Sequence, residues 1–286
     1  MLISSISSAG GSAPNEDLIA VVEHDGVTDI LVLDGASSVA DTNYIDSVGG
    51  DVSWFVAQFC VALQQVIARG RTQHDSVAMA LQRLHAQFID RTAGAEIPAY
   101  AYPIAALSWL RVTQADGATM LQAYCVGDCK AIIRLADGSV VDIDPYVNPQ
   151  EQLLQAEMAR LIEQGITDAA ARKAALMPML RERRVFLNAA PAPTVLCLAP
   201  RGALVAREYA MALSPSATLL AMTDGFYRLV DTYRLHTVEQ LARLCVDDGL
   251  ASVHHSLRAF EAQQGAAGGL SIKRADDASA VLARFA

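Results

Sequence analysis

Four acidic points in the chain share one design. Each lies where an apolar run starts or stops: Glu16-Asp17, Asp34-Gly35, Asp224-Gly225 and Asp276-Asp277. A fifth, Gly127-Asp128, falls on a tight connection between two such runs. Carboxylates gathered at one sheet edge repel one another unless cations neutralise them. An all-oxygen set suits hard divalent ions, Mg²⁺ or Mn²⁺. Two such ions about 3.5–4 Å apart can share a hydroxide and bind a phosphate oxygen. Taken singly, each Asp-Gly is a common turn dipeptide, and the chain has six of them. The signal therefore lies in the set, its order and its spacing.

The elements that must position these acids can be read from the pattern of apolar residues. Asp29-Ile30-Leu31-Val32-Leu33-Asp34-Gly35 is a short apolar run closed by a carboxylate and a glycine, which predicts a buried strand. Gly35 lets the backbone come close to whatever Asp34 binds. Leu18 to Val22 reads as the preceding strand, and Asp25-Gly26 as the hairpin turn between them. That hairpin brings Glu16-Asp17 and Asp34-Gly35 to the same edge of a sheet. A first strand covers Leu2 to Ile6 and breaks at Gly10-Gly11.

Helical spacing then takes over from Asp51 to Arg69 and from about Asp75 to Arg91. Strands return over Ile104 to Val112, Thr119 to Val126 and Ala131 to Leu135, with turn signals at Asp116-Gly117 and Asp137-Gly138. Residues 148–185 read as a helical insertion opened by Pro149, and its charge run Arg181-Glu182-Arg183-Arg184 as a solvated face. Further strands are expected over Thr194 to Leu198, Ala203 to Arg207 and Ala217 to Thr223. Two helices follow, Thr237 to Cys245 and Leu250 to Gln264. Gly265 to Gly269 reads as a flexible loop before a last strand, Ser279 to Phe285. The sum is an α+β fold in four α-β-β-α layers, two antiparallel sheets flanked by helix pairs. A single domain over residues 1–286 is expected.

Composition narrows the function classes. Net charge is −9, which argues against a nucleic-acid or anionic-membrane surface. The five cysteines form no CxxC, so reduced core thiols are expected rather than a zinc knuckle or disulfides. The N-terminus lacks the basic and apolar regions of a signal peptide, and no run reaches the ~18 apolar residues of a membrane span. A soluble, cytoplasmic protein is the expectation. Trp54 and Trp109 read as core or subunit-contact aromatics, and His254-His255 as surface or packing.

The set resembles the metal-dependent protein phosphatases of the protein phosphatase 2C (PPM) family, bacterial type. The stretches that carry the resemblance are Asn15-Glu16-Asp17, Val32-Leu33-Asp34-Gly35, Val126-Gly127-Asp128-Cys129-Lys130-Ala131, Leu219-Leu220-Ala221-Met222-Thr223-Asp224-Gly225 and Asp276-Asp277-Ala278-Ser279-Ala280-Val281-Leu282. They occur in the family's order and span nearly the whole chain. The resemblance implies that Asp34 bridges two metals and that Asp224 and Asp276 complete one of them. The Gly35 carbonyl, with Glu16 or Asp17, completes the other, and Asp128 helps hold a possible third. The implied cofactors are two Mg²⁺ or Mn²⁺ ions. The implied reaction is hydrolysis of phosphoserine or phosphothreonine in a protein partner by water that the metals activate, without a phosphoenzyme.

The chain also departs from the family pattern. Ser12 stands where an arginine usually grips the substrate phosphate, and a neutral side chain cannot replace a bidentate guanidinium. Lys130 and Arg228 lie near the motifs but read as solvated charges. Ala36-Ser37-Ser38 replaces the usual loop after Asp34-Gly35. Arg228 stands where many members carry a carboxylate near the third metal. A phosphatase-like regulatory module of little activity, or a phosphatase for small molecules, are the alternatives these departures raise.

Overall fold

The structure, a computed structural model, describes residues 1–68, 70–93, 95–115, 117–264 and 275–285. The expected flexible loop at 265–269 lies outside the described residues, as do Arg69 and Asp116, one at the end of an expected helix and one in a turn signal.

The hairpin expected around Asp25-Gly26 forms between β2 (Asp17–His24) and β3 (Val27–Gly35). Asp25 and Gly26 both take positive φ, 48° and 76°, as a tight turn of this hand requires. β3 pairs on its other side with β4 (Ile104–Ala115), which continues to β5 (Ala118–Val126) and β9 (Arg207–Leu213). The two-residue β8 (Leu196–Cys197) also pairs with β4. The second sheet has the order β1 (Leu2–Ser8), β11 (Ala278–Arg284), β10 (Thr218–Met222), β6 (Lys130–Arg134), β7 (Val140–Asp142). All pairings are antiparallel.

Alternation along the strands builds the layers. On β3, Leu31 and Leu33 face α1 (Asp51–Gln64) and α2 (Gln73–Arg91) and share a cluster with Phe55, Phe59, Leu81 and Leu84. Ile30 and Val32 point the other way, into an inter-sheet core with Ile133, Leu219 and Val281. On the far side Ile132, Leu220 and Leu282 meet α6 (Val238–Asp247) and α7 (Leu250–Gln264) through Leu241, Cys245 and Leu257. Each such fully buried aliphatic side chain stabilises by about 1.5–3 kcal/mol. The expected α-β-β-α order of layers is therefore what the chain adopts. Trp54 and Trp109 are both core residues, and all five cysteines are buried and unpaired. His254 packs against β1, its Nε2 2.6 Å from the Ser8 hydroxyl. Among the described residues, no helix is long and apolar enough to cross a membrane.

Two expectations need correction. The strand expected at Ala203 to Arg207 instead runs from Arg207 to Leu213. The run Ala203-Leu204-Val205-Ala206 is a loop whose Val205 N–H donates to Pro193 O, while the true strand alternates weakly because of its alanines. Asp224-Gly225 opens a short helix, α5 (Asp224–Tyr227), with Thr223 as its N-cap residue.

The run Arg181 to Arg184 is not a solvated face. The helical insertion forms α3 (Pro149–Glu163) and α4 (Ala169–Ala189), whose own core is thin, with only Met158, Leu161 and Leu176 in its buried cluster. α4 is tied down through polar contacts instead. Arg184 is only 6% exposed and donates to the carbonyls of Ala36 and Ser37 at 3.1 and 3.0 Å. Arg181 donates to Val39 O at 2.8 Å, and Asn188 reaches Ala99 O and Tyr102 O.

Candidate metal centre

The sheet registers carry the acids to one end of the sandwich. Asp17 at the start of β2 stands opposite Asp34 at the end of β3. Both share the strand face of Ile19 and Val32, which points between the sheets. Asp224 follows β10, and Asp276 precedes β11, the strand paired with β10. Asp128 lies in the β5–β6 connection, which passes from one sheet to the other. Five acids that are distant in sequence thus surround one recess where the two sheets open.

Two glycines permit this closeness. A Cβ on Gly35 would lie 2.5 Å from a Val52 methyl and 2.7 Å from Glu16 O. A Cβ on Gly225 would lie 1.9 Å from Asp277 O. Any side chain at Gly225 would push α5 away from the segment that carries Asp276.

Hydrogen bonds fix the acids. Asp34 Oδ2 accepts from the Asp224 N–H at 3.3 Å. The Thr223 hydroxyl donates to Asp17 Oδ2 at 2.7 Å and accepts from Ser279 N–H at 3.0 Å, which joins the two sheets at the recess floor. The Ser37 hydroxyl donates to Glu16 Oε2 at 2.7 Å. Asn148 Nδ2 donates to Asp128 Oδ2 at 2.7 Å, and Asn148 Oδ1 accepts from Arg183 at 3.1 Å. Asp277, the second acid of its pair, accepts from the N–H groups of Gly10 and Glu16 at 2.8 and 2.6 Å, bracing the loop before β2.

The recess is electrostatically loaded. Burial, then the charges of Asp224, Asp17, Asp128 and Asp276, hold the Asp34 carboxyl well above the usual range. Burial pushes Asp17 to about 8, against the opposing pull of the Thr223 hydroxyl. Asp224 is open at the mouth. The protein atoms crowding its carboxyl, then Asp128 and Asp276, still push it to about 7. Arg228 opposes this for Asp224, yet the carboxyls stay raised, and their oxygens are the donors that hard divalent ions accept.

Two features run against a ready-made pair of metal sites. Among the described residues, no three His, Cys, Asp or Glu side chains form a closed ion cage. Asp276 is also already bridged by a cation, with Arg228 Nη2 donating to its Oδ2 at 2.6 Å. Burial lowers the Arg228 pKa, but Asp276 and Asp224 outweigh it and hold the guanidinium above its ordinary value.

All the acids expected at the site therefore line the recess or its rim, and the Gly35 backbone lies beside them. Lys130 and Arg228 are not solvated charges. Lys130 donates to Tyr146 O at 2.7 Å and lies over the Tyr227 ring, and Arg228 is paired with Asp276. Ser12 is exposed and neutral. Sequence reading missed Thr223, Ser37, Asn148, Arg183 and Arg184. Thr223 and Asn148 had a local signal, since each is a helix N-cap residue next to a motif acid or a proline.

No family model matches the chain, and no curated protein matches it by sequence. Solved structures match its whole length. A serine/threonine phosphatase from S. agalactiae is 12% identical, with a TM-score of 0.58 over 98% of each chain. The PPM Ser-Thr phosphatase MsPP from Mycobacterium smegmatis, in complex with cacodylate, is 14% identical, with a TM-score of 0.52 over 100% of this chain and 99% of that one. The catalytic domain of the serine/threonine phosphatase PstP, solved with two manganese ions, is 16% identical, with a TM-score of 0.51 over 98% and 96%. At these identities the likeness establishes the fold, that of the bacterial PPM phosphatases.

Proposed function

We propose, from the PPM phosphatase fold and its acid-lined recess, that this chain is a metal-dependent phosphatase. It hydrolyses phosphomonoesters of serine or threonine on a protein partner, in the cytoplasm, as one domain spanning residues 1–286. The observation that carries this reading is Asp34. It sits among four other carboxylates, all of which raise its proton affinity. Such a group gains most from a divalent cation.

Asp34 and the Gly35 carbonyl, with Glu16 or Asp17 directly or through water, would hold one ion, Asp34, Asp224 and Asp276 another, and Asp128 a possible third. When bound, Mg²⁺ or Mn²⁺ supplies an acidified water and offsets charge on the transferring phosphoryl group. The chain's own groups set the geometry for this. Thr223 holds one oxygen of Asp17, Ser37 holds one of Glu16, and the Asp224 N–H holds one of Asp34. The ester P–O bond breaks as water adds, and the released alcohol takes its proton from solvent.

The Arg228–Asp276 pair, together with Ser12 at the expected arginine position, favours a second reading: a phosphatase-like module that recognises a partner and turns over slowly. Hydrolysis of a phosphothreonine peptide, beside an aryl phosphate and a panel of phosphorylated metabolites, separates the readings. The proposal expects Mn²⁺-stimulated turnover of the peptide. Turnover of metabolites alone points to a small-molecule phosphatase. No stimulation on any substrate leaves the binding module.

A further inference from the structure

We propose that the cavity between α2 and the loop of residues 199–204 is a binding site for a small, neutral, largely apolar carbonyl compound, which accepts a hydrogen bond from the Tyr124 hydroxyl. The cavity lies on the α1–α2 side of the sheet that holds β3 and β5, and none of the recess acids lines it.

The cavity encloses about 400 Å³, within the roughly 300–1,000 Å³ of small-molecule sites. Leu81 of α2 walls one side, and Pro200 and Leu204 of the loop wall another. Among the described residues that line it there is no Asp, Glu, Lys or Arg. Two histidines of α2, His74 and His85, also line it, and the His74 ring stands edge-on to the Tyr124 ring with centroids 6.1 Å apart. The lining therefore favours an apolar body, above all a flat ring that packs against aromatic surface. The acid-lined recess selects the opposite chemistry.

Tyr124 is the polar handle. Its side chain is fully buried and lines the cavity from β5. Its hydroxyl is closed to solvent and has no hydrogen-bond partner among the described residues. A buried tyrosine O–H ordinarily finds an acceptor, and leaving it unmet is unfavourable. Burial, then the charge of Glu208, holds this hydroxyl above the usual tyrosine range, so it stays a donor. A ligand oxygen that accepts from it removes the cost of the unmet donor. The register sets Glu208 of β9 directly opposite Tyr124. Its charge disfavours an anionic ligand there, so a carbonyl oxygen suits the site better than a carboxylate.

Titrating acetophenone and ethylbenzene into the full chain, followed by backbone amide shifts in NMR spectra, tests this. The two probes share one carbon skeleton, and only acetophenone carries the oxygen. Acetophenone is expected to saturate a single site, with shifts centred on α2, the end of β5 and residues 199–204. It is expected to bind about fivefold tighter than ethylbenzene, as one neutral hydrogen bond provides. Tyr124→Phe is expected to bring acetophenone down to the affinity of ethylbenzene and to leave ethylbenzene unchanged. Ala78→Trp, at an exposed helix position on the cavity wall, is expected to abolish the binding of both. No saturable binding of acetophenone to the wild type would overturn the inference, as would equal affinity for the two probes. Acetophenone affinity that is unchanged in Tyr124→Phe, or that survives Ala78→Trp, would overturn it too. The wild-type comparison of the probes decides the question even if a variant proves unstable. Neither metal nor turnover enters the measurement, so the phosphatase reading stands or falls separately.

Discussion

The Asp34 carboxylate accepts a hydrogen bond from the backbone N–H of Asp224, 190 residues away, at 3.3 Å. That contact joins the end of a strand in one sheet to the start of a helix that follows a strand of the other. It makes the recess a seam between the sheets, so anything that parts them there disturbs the acids and the fold together.

The unmet charge of the recess gives the metal-free protein an inverse pH dependence. Burial, with the neighbouring carboxylates, pushes Asp17 up to about 8 and Asp224 up to about 7 in the fold, against 3.8 in an unperturbed chain. Between those values the folded chain holds protons that the unfolded chain has lost, and stability falls as pH rises. In chelator, the melting temperature is expected to drop from pH 5 to pH 8, and Mn²⁺ is expected to raise it more at pH 8 than at pH 5. A metal-free melting temperature that climbs across this range speaks against the placement of these acids.

Thr223→Val removes the hydroxyl that links Asp17 to Ser279 at the seam. A buried acceptor left without its donor costs about 1–3 kcal/mol. Urea unfolding should show a loss of that order, and Thr223→Ser should recover most of it. Equal stability of all three proteins would mean that Asp17 has found another partner.

Gly225→Ala sets a methyl group against the Asp277 carbonyl, 1.9 Å from where its Cβ belongs. Overpacking against a backbone atom costs about 1–3 kcal/mol. The displaced α5 carries Asp224 and Arg228 with it, so Mn²⁺ affinity should fall along with stability. A variant that keeps wild-type Mn²⁺ affinity contradicts the close approach.

Arg184→Ala leaves the carbonyls of Ala36 and Ser37 without their shared donor. A loss of about 1–3 kcal/mol is expected for buried groups left unpaired. Faster hydrogen exchange in the segment after Gly35 is the specific sign, since α4 no longer holds it. Exchange that stays at the wild-type rate would show that the loop needs no clamp.

The parts of this arrangement that were legible in the sequence are those whose signal is local. Asp34 ends an apolar run, Asp25-Gly26 marks its hairpin, and the layers follow from Leu31 and Leu33 alternating with Ile30 and Val32. What was not legible depends on partners far along the chain. Arg228 meets an acid 48 residues on, and Arg184 meets carbonyls about 148 residues back. Nothing beside either residue distinguishes it from a solvated charge. Strand β9 was misplaced for a related reason. Its exposed positions include Ala210 and Ala212, so the apolar-polar alternation that marks a half-buried strand is faint there.

The central claim is that Asp34 gathers divalent ions which make the recess a phosphatase. Its most direct measurement is the rate of phosphate release from a phosphothreonine peptide, with and without Mn²⁺, for wild type and Asp34→Asn at matched folding. The account expects Mn²⁺ to stimulate the wild type and Asp34→Asn to fall to the metal-free rate. Equal Mn²⁺-dependent rates in the two proteins would contradict it.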